Sequence, residues 1–182
     1  MRAYTTAEDI FIAKLNTNGT LIWNTFLGGS GIDSYGSTAL KRNGNLLVSG
    51  RSDATWGSPK KPYIGSVDID VAELDKNGNI VWHTFVGGSS NDWNYGIATD
   101  VDDNIYLSGY CDATWGTPIW PYNSGLDISV IKLNSSGTLL WSTFLGGSGN
   151  DSAYGIILAD NGNLYINGLS YATWGSPVRV YS

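Results

Sequence analysis

The sequence predicts an all-β fold: a β-propeller segment built from 59-residue, four-stranded blades. Three observations predict it. Landmark residues recur at one step, with Trp23, Trp82 and Trp141, Trp56, Trp115 and Trp174, and Asp9, Asp68 and Asp127 each spaced by 59 without a gap. Each period holds four short runs rich in Ile, Val, Leu, Tyr, Trp and Thr, residues that fit a pleated, packed surface. Asn-Gly pairs (Asn18-Gly19, Asn43-Gly44, Asn77-Gly78 and Asn161-Gly162) separate such runs. Asn-Gly there is a strong hairpin signal, because both central residues tolerate φ > 0. No stretch combines helical periodicity with caps.

The elements follow in order. With strands named a to d outward from a propeller axis, the chain opens in the loop between b and c. Residues 9–15 and 20–27 are then c and d of a half-blade spanning residues 1–29. Full blades occupy 30–88 and 89–147, the second ending in c (residues 127–133), the turn Ser135-Ser136-Gly137 and d (residues 138–145). The half-blade 148–182 carries a (residues 154–158) and b (residues 164–168) around Asp160-Asn161-Gly162-Asn163. Three periods take 177 of the 182 residues, so residues 1–5 repeat the phase of residues 178–182. Four antiparallel strands per repeat, stacked in series, make propeller blades.

Composition agrees with short strands and tight turns. Charged residues are 14% against a usual ~25%, aromatics are 13%, and there are 24 Gly and 5 Pro. The net charge of −6 argues against a nucleic-acid partner, which needs clustered Lys and Arg, and against an anionic membrane surface. No apolar run reaches the ~18–20 residues of a membrane helix, and no basic-then-apolar signal peptide stands at the N-terminus. Cys111 is the single cysteine, so no intrachain disulfide or cysteine metal cluster is expected.

The run Thr143-Phe144-Leu145-Gly146-Gly147-Ser148, then Asp151, Tyr154-Gly155-Ile156, Asn161-Gly162-Asn163-Leu164-Tyr165 and Asp127-Ile128 through Lys132-Leu133-Asn134, resembles the bacterial SBBP-type β-propeller repeat. The resemblance covers nearly the whole chain. It implies a propeller of secreted or cell-surface bacterial proteins and carries no catalytic residues over. The first repeat departs from the pattern: Gly36-Ser37-Thr38 stand where the third has Tyr154-Gly155-Ile156, which removes a large inner side chain.

Complementary half-blades at the two ends predict assembly. Strands a and b of one chain would complete the blade begun by c and d of another, through Ile10, Ile12, Leu15, Ile22 and Trp23 on one side and Tyr154, Ile156, Leu164, Tyr165 and Ile166 on the other. Such a head-to-tail contact closes into a ring or runs on as a filament. Two chains give six blades, within the usual four to eight, so a homodimer is favoured over a nine-bladed homotrimer.

Function is less legible. The expected role is a non-catalytic scaffold for structure or recognition. The alternative is a glycan-binding module on the face carrying the d-to-a and b-to-c loops, using Trp56, Trp115 and Trp174 with the unrepeated Trp93 and Trp120. Against it stands the reading that the repeated tryptophans clamp neighbouring blades. Asp33, Asp92 and Asp151 would either hold Ca²⁺ with loop carbonyls or cap loop N–H groups; no other cofactor is indicated. His83, the single histidine, is expected at a surface or interface, and Cys111 has no evident base partner. No GxSxG turn frames a nucleophile. A glycosidase-type carboxylate pair would break the repeat pattern, so an enzyme is the least favoured reading.

Overall fold

The computed structural model describes residues 3–5 and 7–179. Twelve strands follow one another: β1 (Ile10–Leu15), β2 (Leu21–Leu27), β3 (Asp33–Leu40), β4 (Leu46–Ser52), β5 (Asp68–Leu74), β6 (Ile80–Val86), β7 (Asp92–Thr99), β8 (Ile105–Cys111), β9 (Asp127–Leu133), β10 (Leu139–Leu145), β11 (Asp151–Leu158) and β12 (Leu164–Ser170). No helix occurs among the described residues. The strands form two four-stranded antiparallel sheets, β3-β4-β5-β6 and β7-β8-β9-β10, flanked by the two-stranded sheets β1-β2 and β11-β12. This all-β arrangement of antiparallel sheets is consistent with propeller blades. Strand β11 starts at Asp151, three residues before the expected start, because the aspartate itself pairs with Ser170.

Successive sheets approach most closely through their first strands, β3 to β7 and β7 to β11, while β6 and β10 take little part. The sheets therefore fan outward from the first strands. Three apolar layers fill the gaps. Ile10, Ile12, Leu27, Val48, Leu74 and Phe85 lie between the first pair of sheets, and Leu47, Ile69, Val71, Leu107, Ile131 and Leu133 between the second. Tyr106, Ile128, Val130, Ala153 and Ile156 fill the third gap. Every residue of β5 is buried, as expected of a strand covered on both faces.

The hairpins exist, but their turn type differs from the expectation. Gly19, Gly44, Gly78 and Gly162 have φ between 79° and 84°, whereas the preceding asparagines do not have positive φ. The residue three before each glycine accepts its N–H, as in Gly19 N to Asn16 O at 3.0 Å. These are type I turns closed by a left-handed glycine. Two of them are stiffened by Asn16 and Asp75, whose side chains accept from amides two and four residues on. Asp103 (φ 60°) takes the glycine position in the one hairpin turn that lacks a glycine there.

A buried ion pair ties the two complete sheets together. Lys41 Nζ donates to Glu73 Oε2 at 2.8 Å and to Ser135 O, on the β9–β10 turn, at 2.9 Å. Asn45 Nδ2 and Trp82 Nε1 donate to the same carboxylate. Burial raises the pKa of Glu73, but these donors outweigh it and hold the carboxyl below its usual range.

Candidate functional site

Every first strand carries a β-bulge at one repeat position. Two residues oppose a single glycine: Tyr35-Gly36 against Gly50, Asn94-Tyr95 against Gly109, and Ala153-Tyr154 against Gly168. The glycines are required by close approach, since a Cβ on Gly109 or Gly168 would lie 1.7 or 1.8 Å from the carbonyl oxygen of Trp93 or Ser152. The bulge displaces side chains from the ladder, as bulges do.

In the second and third repeats the displaced side chain is Tyr95 or Tyr154, and their rings meet edge to face at 5.3 Å. In the first repeat the missing aromatic is supplied one residue earlier. Tyr35 adopts φ 61°, uncommon for a residue with a side chain, and its ring stands 5.6 Å from Tyr95 and 5.7 Å from Trp93. The local loss expected at Gly36-Ser37-Thr38 is thus compensated through the backbone. Trp93 stacks on Tyr110 at 5.4 Å. Above Trp93 lies the guanidinium of Arg51, 3.7 Å from the ring centroid and 4.9 Å from that of Tyr35. Arg51 Nε donates to Ser34 Oγ at 3.0 Å. Burial, with Tyr110 donating to Tyr95, raises the Tyr110 hydroxyl well above its ordinary value. This cluster of Arg51, Tyr35, Trp93, Tyr95, Tyr110 and Tyr154 runs across β3, β4, β7, β8 and β11.

The five tryptophans considered for ligand binding separate. Trp56 and Trp115 are buried, meeting Phe85 and Phe144 edge to face at 6.2 and 5.8 Å. Trp174 is half-buried beside Leu145. Trp120 is 67% exposed on the loop face. Trp93 does not belong to the loop face: it lies on β7, within the bulge cluster. His83, expected at a surface or interface, is buried within the chain and stacked on Trp56 at 3.9 Å and 4°, because the loop after β4 folds back over β6.

Each of Asp33, Asp92 and Asp151 accepts from the second amide of its Gly-Gly pair, Gly29, Gly88 or Gly147, at 2.8 to 2.9 Å, the geometry of a loop cap. Each also faces a second carboxylate across the first glycine: Asp9, Asp68 and Asp127 respectively. Burial, the largest cause, pushes Asp33 up to about 6 and Asp92 to about 7; their partner aspartates add to it. Among the described residues no three or more His, Cys, Asp or Glu side chains group as metal ligands. Cys111 is fully buried, and burial pushes its thiol far above the ordinary value.

The terminal strands leave apolar side chains open. Leu15 is 56% exposed, whereas its equivalents Leu74 and Leu133 are at 0%. Tyr165 is 57% exposed against 7% for Tyr106; Ile22 is exposed too, but so are its equivalents Val81 and Leu140 in the complete sheets. Leu164 and Ile166 are half-buried, and Tyr154 joins the aromatic cluster. The expected interface residues Ile10, Ile12 and Ile156 are instead buried in the chain's own inter-sheet layers. Trp23 is held within the chain, its Nε1 donating to Lys76 O at 3.1 Å, so these four are not free surface.

No family model matches the chain. It is similar to an uncharacterized WD repeat-containing protein of Acanthamoeba polyphaga mimivirus, 25% identical over 215 residues that take in 97% of this chain. The chain spans about 15% of the length of that relative. A WD repeat-containing relative and the sheet arrangement together suggest a propeller-like scaffold.

Proposed function

We propose that the protein is a non-catalytic propeller scaffold that assembles head-to-tail with copies of itself. The carrying observation is that the second-to-third-strand pairing, made twice inside the chain, has its two unmade halves at opposite ends. In the second complete sheet Ile105 pairs with Leu133, Leu107 with Ile131, and Gly109 with Ser129. Carried along by the 59-residue step, this register sets Leu164 against Leu15, Tyr165 against Lys14, Ile166 against Ala13 and Asn167 against Ile12 of a second copy. Unpaired strand edges with open apolar side chains favour such addition.

Two inter-sheet contacts support the same partner. Trp23 and Trp82 each lie against the turn glycine of the next sheet, Gly78 and Gly137. By the same step Trp141 would meet Gly19, where an added Cβ would have nothing within 4 Å. Trp174 would likewise meet Phe26, as Trp56 meets Phe85 and Trp115 meets Phe144. Two chains, each bringing two complete and two half sheets, give six sheets in a closed ring, the favoured product; nine sheets would need three chains.

Light scattering tests this, with twice the mass of one chain expected. The double variant Ile12→Cys with Asn167→Cys should then give a disulfide-linked dimer on mild oxidation. A stable monomer, or a double variant that fails to cross-link between chains, would overturn the proposal.

A further inference from the structure

We infer that the bulge cluster around Arg51 is a binding site for a carboxylated sugar, the uronic acid residue of an acidic glycan. All its side chains come from one copy, so the inference does not rest on the assembly proposed above.

Arg51 makes no ion pair among the described residues; the salt bridges there join Lys41 to Glu73 and Lys132 to Asp100. Its Nε is used by Ser34, which fixes the plane of the guanidinium and, among the described residues, leaves both terminal amino groups for another acceptor. A guanidinium matches a carboxylate by two parallel hydrogen bonds. Stacking on Trp93 and Tyr35 holds the fork in place before a ligand arrives, which lowers the ordering cost of binding. With a net charge of −6, the protein has no general attraction for anions, so an anion bound here owes its affinity to this cation. One guanidinium without a second cation balances a single negative charge, as on a carboxylate, better than a phosphate dianion.

The body of the ligand follows from the rings. Tyr35 and Tyr154 are about half exposed, and Trp93, Tyr95 and Tyr110 are partly so. Arg51 and Tyr110 already stack on Trp93, so the open apolar surface comes from the tyrosine rings, edged by hydroxyls, a lining that pairs nonpolar contact with a few orienting polar groups. The ring of a pyranose has the matching form: a C–H face for the aromatics and hydroxyls for the tyrosines. Tyr35 holds φ 61°, a conformation uncommon for a residue with a side chain, while the equivalent residues Asn94 and Ala153 avoid it, and the guanidinium lies 4.9 Å from the ring so placed. This backbone conformation brings one more ring beside Arg51.

The test is calorimetric titration of the full chain with a galacturonic acid trimer and with the neutral galactose trimer. The acidic sugar should bind, and the neutral one about tenfold or more weakly, the usual scale of one charge-assisted contact. Arg51→Gln should bring the acidic trimer down to the neutral level. Arg51→Lys, which keeps the charge without the fork, should recover only part of the difference. Trp93→Phe should weaken both sugars, and its circular dichroism and melting temperature report whether the fold persists. Equal affinity for the two trimers, no binding of the acidic trimer at millimolar concentration, an unaffected Arg51→Gln, or stronger binding of a sugar phosphate than of the uronate would each overturn the assignment.

Discussion

Replacing Lys41 by Met would expose how strongly the two complete sheets depend on one another. The ammonium gives up hydrogen bonds of 2.8 Å to Glu73 and 2.9 Å to Ser135 O. The side chains of Lys41 and Glu73 are only 8% and 5% exposed, so water replaces the ammonium poorly. Breaking a buried pair by removing one partner costs about 3–5 kcal/mol. Here Asn45 and Trp82 keep donating to the carboxylate at 2.6 and 2.7 Å, which places the expected loss near ~3 kcal/mol, at the low end of that range. With a urea slope of about 2 kcal/mol/M, the midpoint should fall by about 1.5 M. The sign of the pH dependence is also fixed. Glu73 is held below its usual range in the native chain, so the stability it contributes is present above the ordinary carboxyl range and lost on acidification. The penalty of Lys41→Met should therefore be largest near pH 8 and shrink toward pH 4.5, where the unpaired acid takes up a proton. Glu73→Gln on the Lys41→Met background should restore part of the loss. Urea titrations of the parent, the single and the double variant at both pH values measure all of this. A shift under ~0.5 kcal/mol for Lys41→Met, of the size usual for surface changes, would refute the reasoning.

Further outcomes follow from other sites. Burial raises Asp33 to about 6 and Asp92 to about 7, and raises Asp70 well above its ordinary value. Their contribution is present below the ordinary carboxyl value and lost as pH rises through the native one; the melting temperature should fall from pH 5 to pH 8, and Asp92→Asn should flatten the fall. Asp70→Ser, the residue that the next repeat carries as Ser129, should melt higher than the parent at pH 8. Trp115→Ala, emptying a buried ring site beside Phe144, should cost about 3–5 kcal/mol, while Trp120→Ala on the exposed loop should stay within ~0.5 kcal/mol, both by chemical denaturation. Gly109→Ala forces a Cβ against the Trp93 carbonyl and should cost at least about 1–3 kcal/mol, with near-ultraviolet circular dichroism reporting the displaced indole.

The repeat, the strands and the antiparallel sheets were legible because each rests on local signals that recur: apolar runs, left-handed glycines, and a fixed step. The aromatic cluster was not. Aligned by that step, Tyr35 falls opposite Asn94 and Gly36 opposite Tyr95, so the first repeat reads as having lost its inner aromatic. Only the positive φ of Tyr35 restores it, and backbone sign leaves no mark on a tyrosine. A usable signal did exist: Gly50, Gly109 and Gly168 interrupt strands at one repeat position, and a lone glycine within a strand suggests a bulge. The burial of His83 was hidden for another reason. Its cover, Trp56, lies 27 residues upstream in a loop whose path no periodicity dictates.

The opposed glycine separates two tasks that most strand positions must perform together. Because the ladder closes around Gly50, Gly109 and Gly168 whatever protrudes on the other side, the protruding Tyr35, Tyr95 and Tyr154 can change without disturbing sheet register, whereas their neighbours Asn94 and Ala153 are buried and stay fixed. The three tyrosine positions form a set of exchangeable sockets on a fixed frame. A library varied only there should yield proteins that melt alike yet discriminate among ligands, a division of labour that suits a repeat protein copied and then adapted.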